Sequence, residues 1–248
     1  NLVAYMNLLV PAIKHGLKKI ILTSSMSVYG KQQVPFNENM VPMPEDIYGI
    51  SKFSMELKTK VLSEVYKFKY VTIRPHNVYG PRQNLSDPYR NVVGIFINRL
   101  LQGKNFYIYG DGKQRRAFSY IDDVVPAMVR AGFEQKCENK AINVGSDEPV
   151  TLNYLGQVVL EEFFGKKNPP TKFKPMHFPE RPQEVKYAYC SHDRAQKLLG
   201  FKPKIKLREG VRAMISWAKN HGPRQFAYLD RLDLDHPRTP KTWKAKLI

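Results

Sequence analysis

Cysteine is scarce: Cys137 and Cys190 are the only two in 248 residues. Neither spacing nor number suits a disulfide framework or a cysteine metal site, so two reduced thiols are expected. No metal ligand set is evident. Acidic residues are also short, with 22 Asp and Glu against 40 Lys and Arg, a formal net charge of +18. Such a balance raises nucleic acid as a partner. The basic residues are dispersed, however. The densest groups, GKKNPPTKFK and FKPKIKLREGVR, fall between elements or at a helix start. No aromatic and basic residues interleave, so nucleic acid is not expected, and a general basic field suits a small anionic substrate better. Long apolar runs are missing, which excludes a membrane-spanning helix. There is no internal repeat, no low-complexity run and no leader pattern; the chain opens on Asn1 without a start methionine.

Core-forming residues are plentiful, with 42% hydrophobic and 12% aromatic side chains. Apolar positions at helical spacing predict a helix over 2–15, blemished by Pro11 and closed by Gly16. KKIILTSS (18–25) predicts a short strand ending in small polar residues. A proline-rich loop (31–46) precedes a helix from Tyr48 to Tyr66, with Met55, Leu57, Val61, Leu62 and Val65 as core candidates. YVTIR then predicts a second strand. Helix, strand, loop, helix, strand is the alternation of a parallel sheet with crossover helices. Further on, 92–104 reads as a helix, 105–116 as a strand with a Gly-Asp-Gly turn, and 117–135 as a short strand and helix. A strand, loop and helix follow from Lys140, and two helices flank a loop over 192–222. Residues 226–248 read as a C-terminal extension.

Five motifs stand in order: a strand ending Thr-Ser-Ser (23–25), Val-Tyr-Gly (28–30), Tyr-x-x-x-Lys (48–52), RPHNVYGP (74–81) and YGDGKQRRAFSYIDDV (109–124). Any one is weak. Together they resemble the extended short-chain dehydrogenase/reductase superfamily, and within it the NAD-dependent nucleotide-sugar epimerase/dehydratase group. The resemblance runs from Asn1 to about Gly210. It implies an α/β fold: a Rossmann-like doubly wound parallel sheet, its N-terminal part missing, with a smaller mixed α/β substrate domain. The implied nucleotide-binding domain is 1–80 with 117–146; the substrate domain is 81–116 with 147–225. One departure matters. The family's Gly-rich turn, whose helix N-terminus takes the pyrophosphate of NAD, has no counterpart here. The stretch NLVAYMNLL matches a helix midway through that domain. The chain is therefore expected to be a fragment or to need a partner, and alone to bind NAD poorly.

Tyr48 and Lys52 are four apart and share a helix face. A free phenol, with a pKa of about 10, is a weak base at neutral pH; a nearby ammonium favours the phenolate. On the residues alone, a surface Tyr–Lys pair remains open. By resemblance, Tyr48 takes a proton from a sugar hydroxyl, Lys52 tunes it and binds the nicotinamide ribose, and Ser25 relays the proton. The same resemblance gives Asn1, Thr23, Ser24, Tyr48, Lys52 and Pro75 to NAD. It gives Ser25, Asn77, Asn91, Val92, Tyr107, Tyr109, Arg116, Arg181 and Glu184 to the sugar nucleotide. Tyr107 and Tyr109 could equally be alternating strand residues, and His76 a packing residue or a substrate contact. Arg116 and Arg181 suit phosphate oxygens because guanidinium donors form a flat fork. Asp122 and Asp123 are expected to cap a helix.

Met26 and Ser27 occupy positions where 4,6-dehydratases carry an Asp-Glu pair. Without acids there, the expectation is epimerisation: oxidation to a keto-sugar, reorientation and re-reduction, with UDP-hexose as substrate and NAD as cofactor. A dehydratase, decarboxylase or reductase of the same fold, or a non-catalytic sugar-nucleotide-binding protein, remain the alternatives. A cytoplasmic homodimer without membrane attachment is implied by the resemblance.

Overall fold

The main elements are, in chain order, α1 (Leu2–Lys14), β1 (Lys19–Thr23), α2 (Ile47–Tyr66), β2 (Lys69–Pro75), α3 (Val92–Leu101), β3 (Tyr107–Tyr109), α4 (Ile121–Phe133), β4 (Lys140–Val144), α5 (Leu152–Phe164), β5 (Met176–Phe178), α6 (Asp193–Leu199) and α7 (Leu207–His221). They come from a computed structural model that describes residues 1–165, 169–180, 184–228 and 246. The chain divides into two compact units. The first holds Asn1–Asn77, Ala117–Pro149 and Tyr187–Lys204; the second holds Val78–Arg116, Val150–Lys186 and the described residues from Ile205 onward.

In the first unit, β1, β2 and β4 form a parallel sheet in that order. Lys19 to Thr23 register with Lys69 to Ile73, and Val71 to Pro75 with Lys140 to Val144. The strand ends at Thr23, Pro75 and Val144 therefore share one edge, the carboxyl edge of the sheet. Successive strand side chains point to opposite faces, and β1 shows the result. Leu22 packs into a cluster with Tyr5, Leu9, Met55 and Phe68, beneath α1 and α2. Its neighbour Ile21 meets α4, where any side chain at Gly132 would lie 2.7 Å from the Ile21 tip. Helices thus cover both faces, as a doubly wound α/β sheet requires. Pro11 sits inside α1 without ending the helix.

α2 departs from the sequence reading in which face it buries. Met55 is buried, and Leu62 packs partly against the same cluster. Leu57, Val61 and Val65 are about half exposed or more, while Glu56, Thr59 and Ser63 are buried. The buried polar residues of the inner face each meet a polar partner: Thr59 bonds Tyr5 of α1, and Glu56 bonds Ser24, just past β1, and Arg74 of β2. The cap signals are local. Asp46 Oδ1 accepts from the Gly49 N–H at 2.7 Å, fixing where α2 begins.

In the second unit, α3, α5 and α7 pack on one another around Val93, Phe96, Ile97, Leu155, Val158, Val159, Met214 and Ile215. β3 and β5 pair in parallel. Phe96 stacks on Phe106 with ring centroids 4.0 Å apart. Asn98, buried in α3, ties the end of α7's following segment by donating to the Arg224 carbonyl at 2.9 Å. Most of the expected extension over 226–248 lies outside the described residues.

Candidate active site

The carboxyl edge of the parallel sheet gathers the first group of candidates. Ser24 ends the strand run: its N–H donates to the Ile73 carbonyl at 2.7 Å, and its hydroxyl donates to Glu56. Ser25 then caps a 3-10 turn over Met26–Tyr29. Its hydroxyl oxygen accepts from the Ser27 N–H at 3.2 Å and from the Ser27 hydroxyl at 2.8 Å. The same turn seats α2. A side chain at Gly49 would lie 2.6 Å from the Ser27 carbonyl, so glycine is what lets the helix start come this close. Tyr48 is thereby placed beside the turn, 39% exposed. One turn on, the Lys52 ammonium donates to the Thr23 carbonyl at 2.8 Å and lies 5.6 Å from the centre of the Tyr48 ring. Ser25, Tyr48, Lys52, Thr23 and Ser24 are thus set around the end of β1.

Pro75 is the last residue of β2 and half-buried. Asn77 takes a left-handed backbone (φ 41°), and its amide donates to the Ala117 carbonyl at 2.9 Å. Between them, His76 is buried at 2% exposure. Its ring fills the space left by Gly145, contacts the Ser146 carbonyl at 3.3 Å and lies 5.1 Å from the ring of His192. His192 in turn bonds Asp147. Burial above all, and His192 next, push His76 down to about 3, so it is neutral at physiological pH. Of the two readings left open for His76, packing is the one this burial supports. Asn1 is exposed at the start of α1 and makes no side-chain cap bond.

In the second unit, Asn91 caps α3, its amide donating to the Val78 carbonyl, and Val92 opens the helix half-buried. Tyr107 lies under Arg99, whose guanidinium is 4.7 Å from the ring centre and donates to the phenol oxygen at 3.2 Å. Tyr109 is half-buried, and its carbonyl accepts from Gln114 at 2.9 Å. Arg116 and Glu184 come together directly as a 2.8 Å ion pair, with 15% and 9% of each side chain exposed. Arg116 also donates to the carbonyls of Arg115, Val185 and Lys186. Arg181 lies outside the described residues. Asp122 and Asp123 stand in the first turn of α4, but the cap position is Tyr120; Asp123 accepts instead from the Lys204 N–H at 3.1 Å.

The sequence reading missed the polar layer beneath the first group. Arg74 donates two hydrogen bonds to the Glu56 carboxylate, at 2.6 and 3.0 Å, and one to the Tyr29 hydroxyl at 2.8 Å. Tyr29 donates onward to Asn143 at 2.8 Å. Burial, partly offset by Arg74, pushes the Tyr29 phenol up to about 12, so it remains a neutral donor. This chain of bonds runs from Ser24 through α2 and β2 to β4. The available signal was Arg74 itself, a charge closing an apolar strand, and Glu56 one turn beyond Lys52.

A family model described as the NAD dependent epimerase/dehydratase family matches residues 1–145. The chain belongs to that family. A protein of Methanocaldococcus jannaschii named as a putative UDP-glucose 4-epimerase is 32% identical over 223 residues, covering 89% of this chain and 70% of the relative. Among solved structures, the UDP-glucose 4-epimerase of Thermotoga maritima, crystallised with UDP-glucose, is 33% identical with a TM-score of 0.78; the match covers 89% of this chain and 69% of the other. The UDP-N-acetylglucosamine 4-epimerase of Methanobrevibacter ruminantium is 30% identical with a TM-score of 0.80 over the same shares. The chain thus spans about 70% of the length of these three proteins.

Membership of an NAD dependent family can be set against the residues present. The nicotinamide end of the cofactor fits: a lysine ammonium is held at the strand end, beside a phenol that reaches solvent, and Pro75 offers its main chain on the next strand. The 248 residues contain no glycine-rich strand–turn–helix for the pyrophosphate. Among the described residues no group of three or more His, Cys, Asp or Glu is placed to hold a metal, and no helix is long and apolar enough to cross a membrane.

Proposed function

We propose that this chain carries the reacting and sugar-nucleotide residues of an NAD-dependent nucleotide-sugar 4-epimerase, acting on a UDP-hexose. The observation that carries the reading is the anchored Tyr48–Lys52 pair beside Ser25, on a turn that holds no acid. Lys52, fixed to the Thr23 carbonyl, keeps a positive charge by Tyr48 and favours its phenolate. The phenolate takes the proton from the sugar hydroxyl, and returns it to the same oxygen after the keto-sugar has turned to offer its other face to the hydride. Bound NAD supplies the hydride acceptor and donor for the same carbon. Thr23, Ser24, Lys52, Pro75 and Asn1 are the residues of this chain assigned to hold it.

Asn77, Asn91, Val92, Tyr107 and Tyr109 are assigned to the sugar nucleotide, with Arg116, Arg181 and Glu184 on its diphosphate and ribose. Arg116 and Glu184 are already paired, so the diphosphate must compete for a guanidinium whose donors face carbonyls and a carboxylate. Met26 and Ser27 offer no acid for eliminating water, which favours epimerisation over dehydration. The relatives named above as 4-epimerases support the same reaction. The reading includes a cytoplasmic homodimer. The two cysteines are buried free thiols, and α2 carries an exposed apolar stripe of Ile50, Leu57, Val61 and Val65.

The experiment is interconversion of UDP-glucose and UDP-galactose by the chain with added NAD, followed by separation of the products. A mixture of the two hexoses is expected. A keto-deoxy sugar, or a decarboxylated product from UDP-glucuronate, would replace the epimerase reading.

A further inference from the structure

A serine hydroxyl holds one hydrogen to donate and two lone pairs to accept with. At Ser25 both acceptor positions are taken by one neighbour. The Ser27 N–H reaches the Ser25 oxygen at 3.2 Å, as in any side chain capping a turn. The Ser27 hydroxyl adds a second bond at 2.8 Å from outside the backbone. What remains to Ser25 is its own O–H. We infer that Ser27 is a positioning residue that makes Ser25 a dedicated hydrogen-bond donor toward the reacting oxygen of the sugar.

The inference rests on the epimerase reading above and changes the expected role of Ser25 within it. A serine that relays a proton must accept one from the sugar while it passes its own to Tyr48. With both lone pairs filled, Ser25 has no place to receive it. The sugar O–H bond therefore breaks directly onto the Tyr48 phenolate: the phenol O–H forms, and the electron pair left on the sugar oxygen becomes the carbonyl as hydride departs. Ser25 donates to that oxygen throughout. Its bond strengthens while negative charge builds there and weakens little when the carbonyl forms, which is the behaviour of an oxyanion donor. The position where dehydratases carry a carboxylate thus holds a hydroxyl with a task of its own. A carboxylate at 27 could only accept, and would turn the Ser25 hydrogen away from the sugar.

Binding tests this without turnover. UDP-hexose and UDP-4-ketohexose are titrated calorimetrically into the chain without NAD, where the hexose cannot be oxidised nor the ketone reduced. A ketone oxygen only accepts, whereas a hydroxyl can accept or donate. In Ser27→Ala the freed Ser25 turns to suit a hydroxyl but is no longer aimed at a ketone. The ketone-to-hydroxyl affinity ratio is expected to fall about threefold to tenfold, the range for one neutral hydrogen bond. Ser27→Thr, which keeps the hydroxyl, restores it. Ser25→Ala lowers the ratio similarly, and the double variant lowers it no further. If Ser27→Ala weakens both ligands equally or leaves the ratio unchanged, the inference falls and the epimerase reading stands. If the unaltered chain binds neither ligand, the epimerase reading fails and takes the inference with it.

Discussion

Replacing Tyr48 by Phe removes one oxygen and keeps the ring that lies beside Lys52. If Tyr48 is the base, turnover of UDP-hexose drops about 100-fold to 10,000-fold, the usual contribution of a positioned general base. UDP binding, measured by calorimetry, stays within about twofold of the unaltered chain, the scatter of an exposed substitution. A variant retaining more than a tenth of the rate would show that another group takes the proton. His76 makes a different kind of prediction, since it acts on stability. Its folded pKa is about 3, against about 6.5 when unfolded. Between those values the unfolded chain binds more protons, so stability rises with pH. The contribution is full above about pH 6.5 and is lost as pH falls toward 3. Asp147, which faces the cluster through His192, is held below its ordinary value chiefly by its bond to His192. It also loses stability on acidification, but only below the ordinary carboxylate range, near pH 4. The window from about pH 6.5 to 4 therefore reports His76 against the same background of other histidines. Denaturant unfolding across it should show a shallower fall in His76→Gln than in the unaltered chain. Parallel curves would mean that the ring is not held neutral.

At the scale of elements, the parallel strands were legible because they are local: KIILT and YVTIR are apolar runs bounded by polar ends, and the helix between them starts at an Asp cap. The buried face of α2 was not legible. Helical spacing made Leu57, Val61 and Val65 core candidates, yet Glu56, Thr59 and Ser63 took the inner positions. Glu56 is buried only because Arg74, eighteen residues on, arrives beneath it through the β1–β2 pairing. Likewise the order of motifs marked Ser25, Tyr48 and Lys52. The bond from Ser27 to Ser25 depends on a 3-10 turn that no residue pattern announces. Two outcomes test this arrangement. Glu56→Gln leaves Arg74 charged and buried without its partner, and should cost about 3–5 kcal/mol in denaturant unfolding, as for other broken buried pairs. A loss under about 1 kcal/mol, the level of exposed pairs, would mean that Arg74 reaches water. If the proposed homodimer packs through the exposed stripe, Leu57→Glu should keep the helix content seen by circular dichroism but bring the sedimentation coefficient down to that of a monomer. An unaltered sedimentation coefficient would remove α2 from the interface.

For the molecule as a whole, ligand preference follows from what the two units carry. In the proposed reading the first unit's sheet end takes a nicotinamide and a sugar, and Asn91, Tyr107, Tyr109 and Arg116 of the second are assigned to a uridine diphosphate. The pyrophosphate of NAD needs something else: successive backbone N–H groups at a glycine-opened helix start. Glycines with left-handed backbone do occur, as at Gly30, Gly110 and Gly112. None begins a helix after a strand in the spacing that brings three glycines to a phosphate. The net charge of +18 attracts any anionic ligand and is screened by salt, so charge alone does not make a pyrophosphate site. The chain is accordingly expected to bind UDP and UDP-hexose measurably in calorimetry at about 0.15 M salt, and NAD far more weakly under the same conditions. Both affinities should fall as salt rises, that of the more negative UDP more steeply. NAD binding as tight as UDP binding would show that these 248 residues build a pyrophosphate site by a route without the glycine-rich turn.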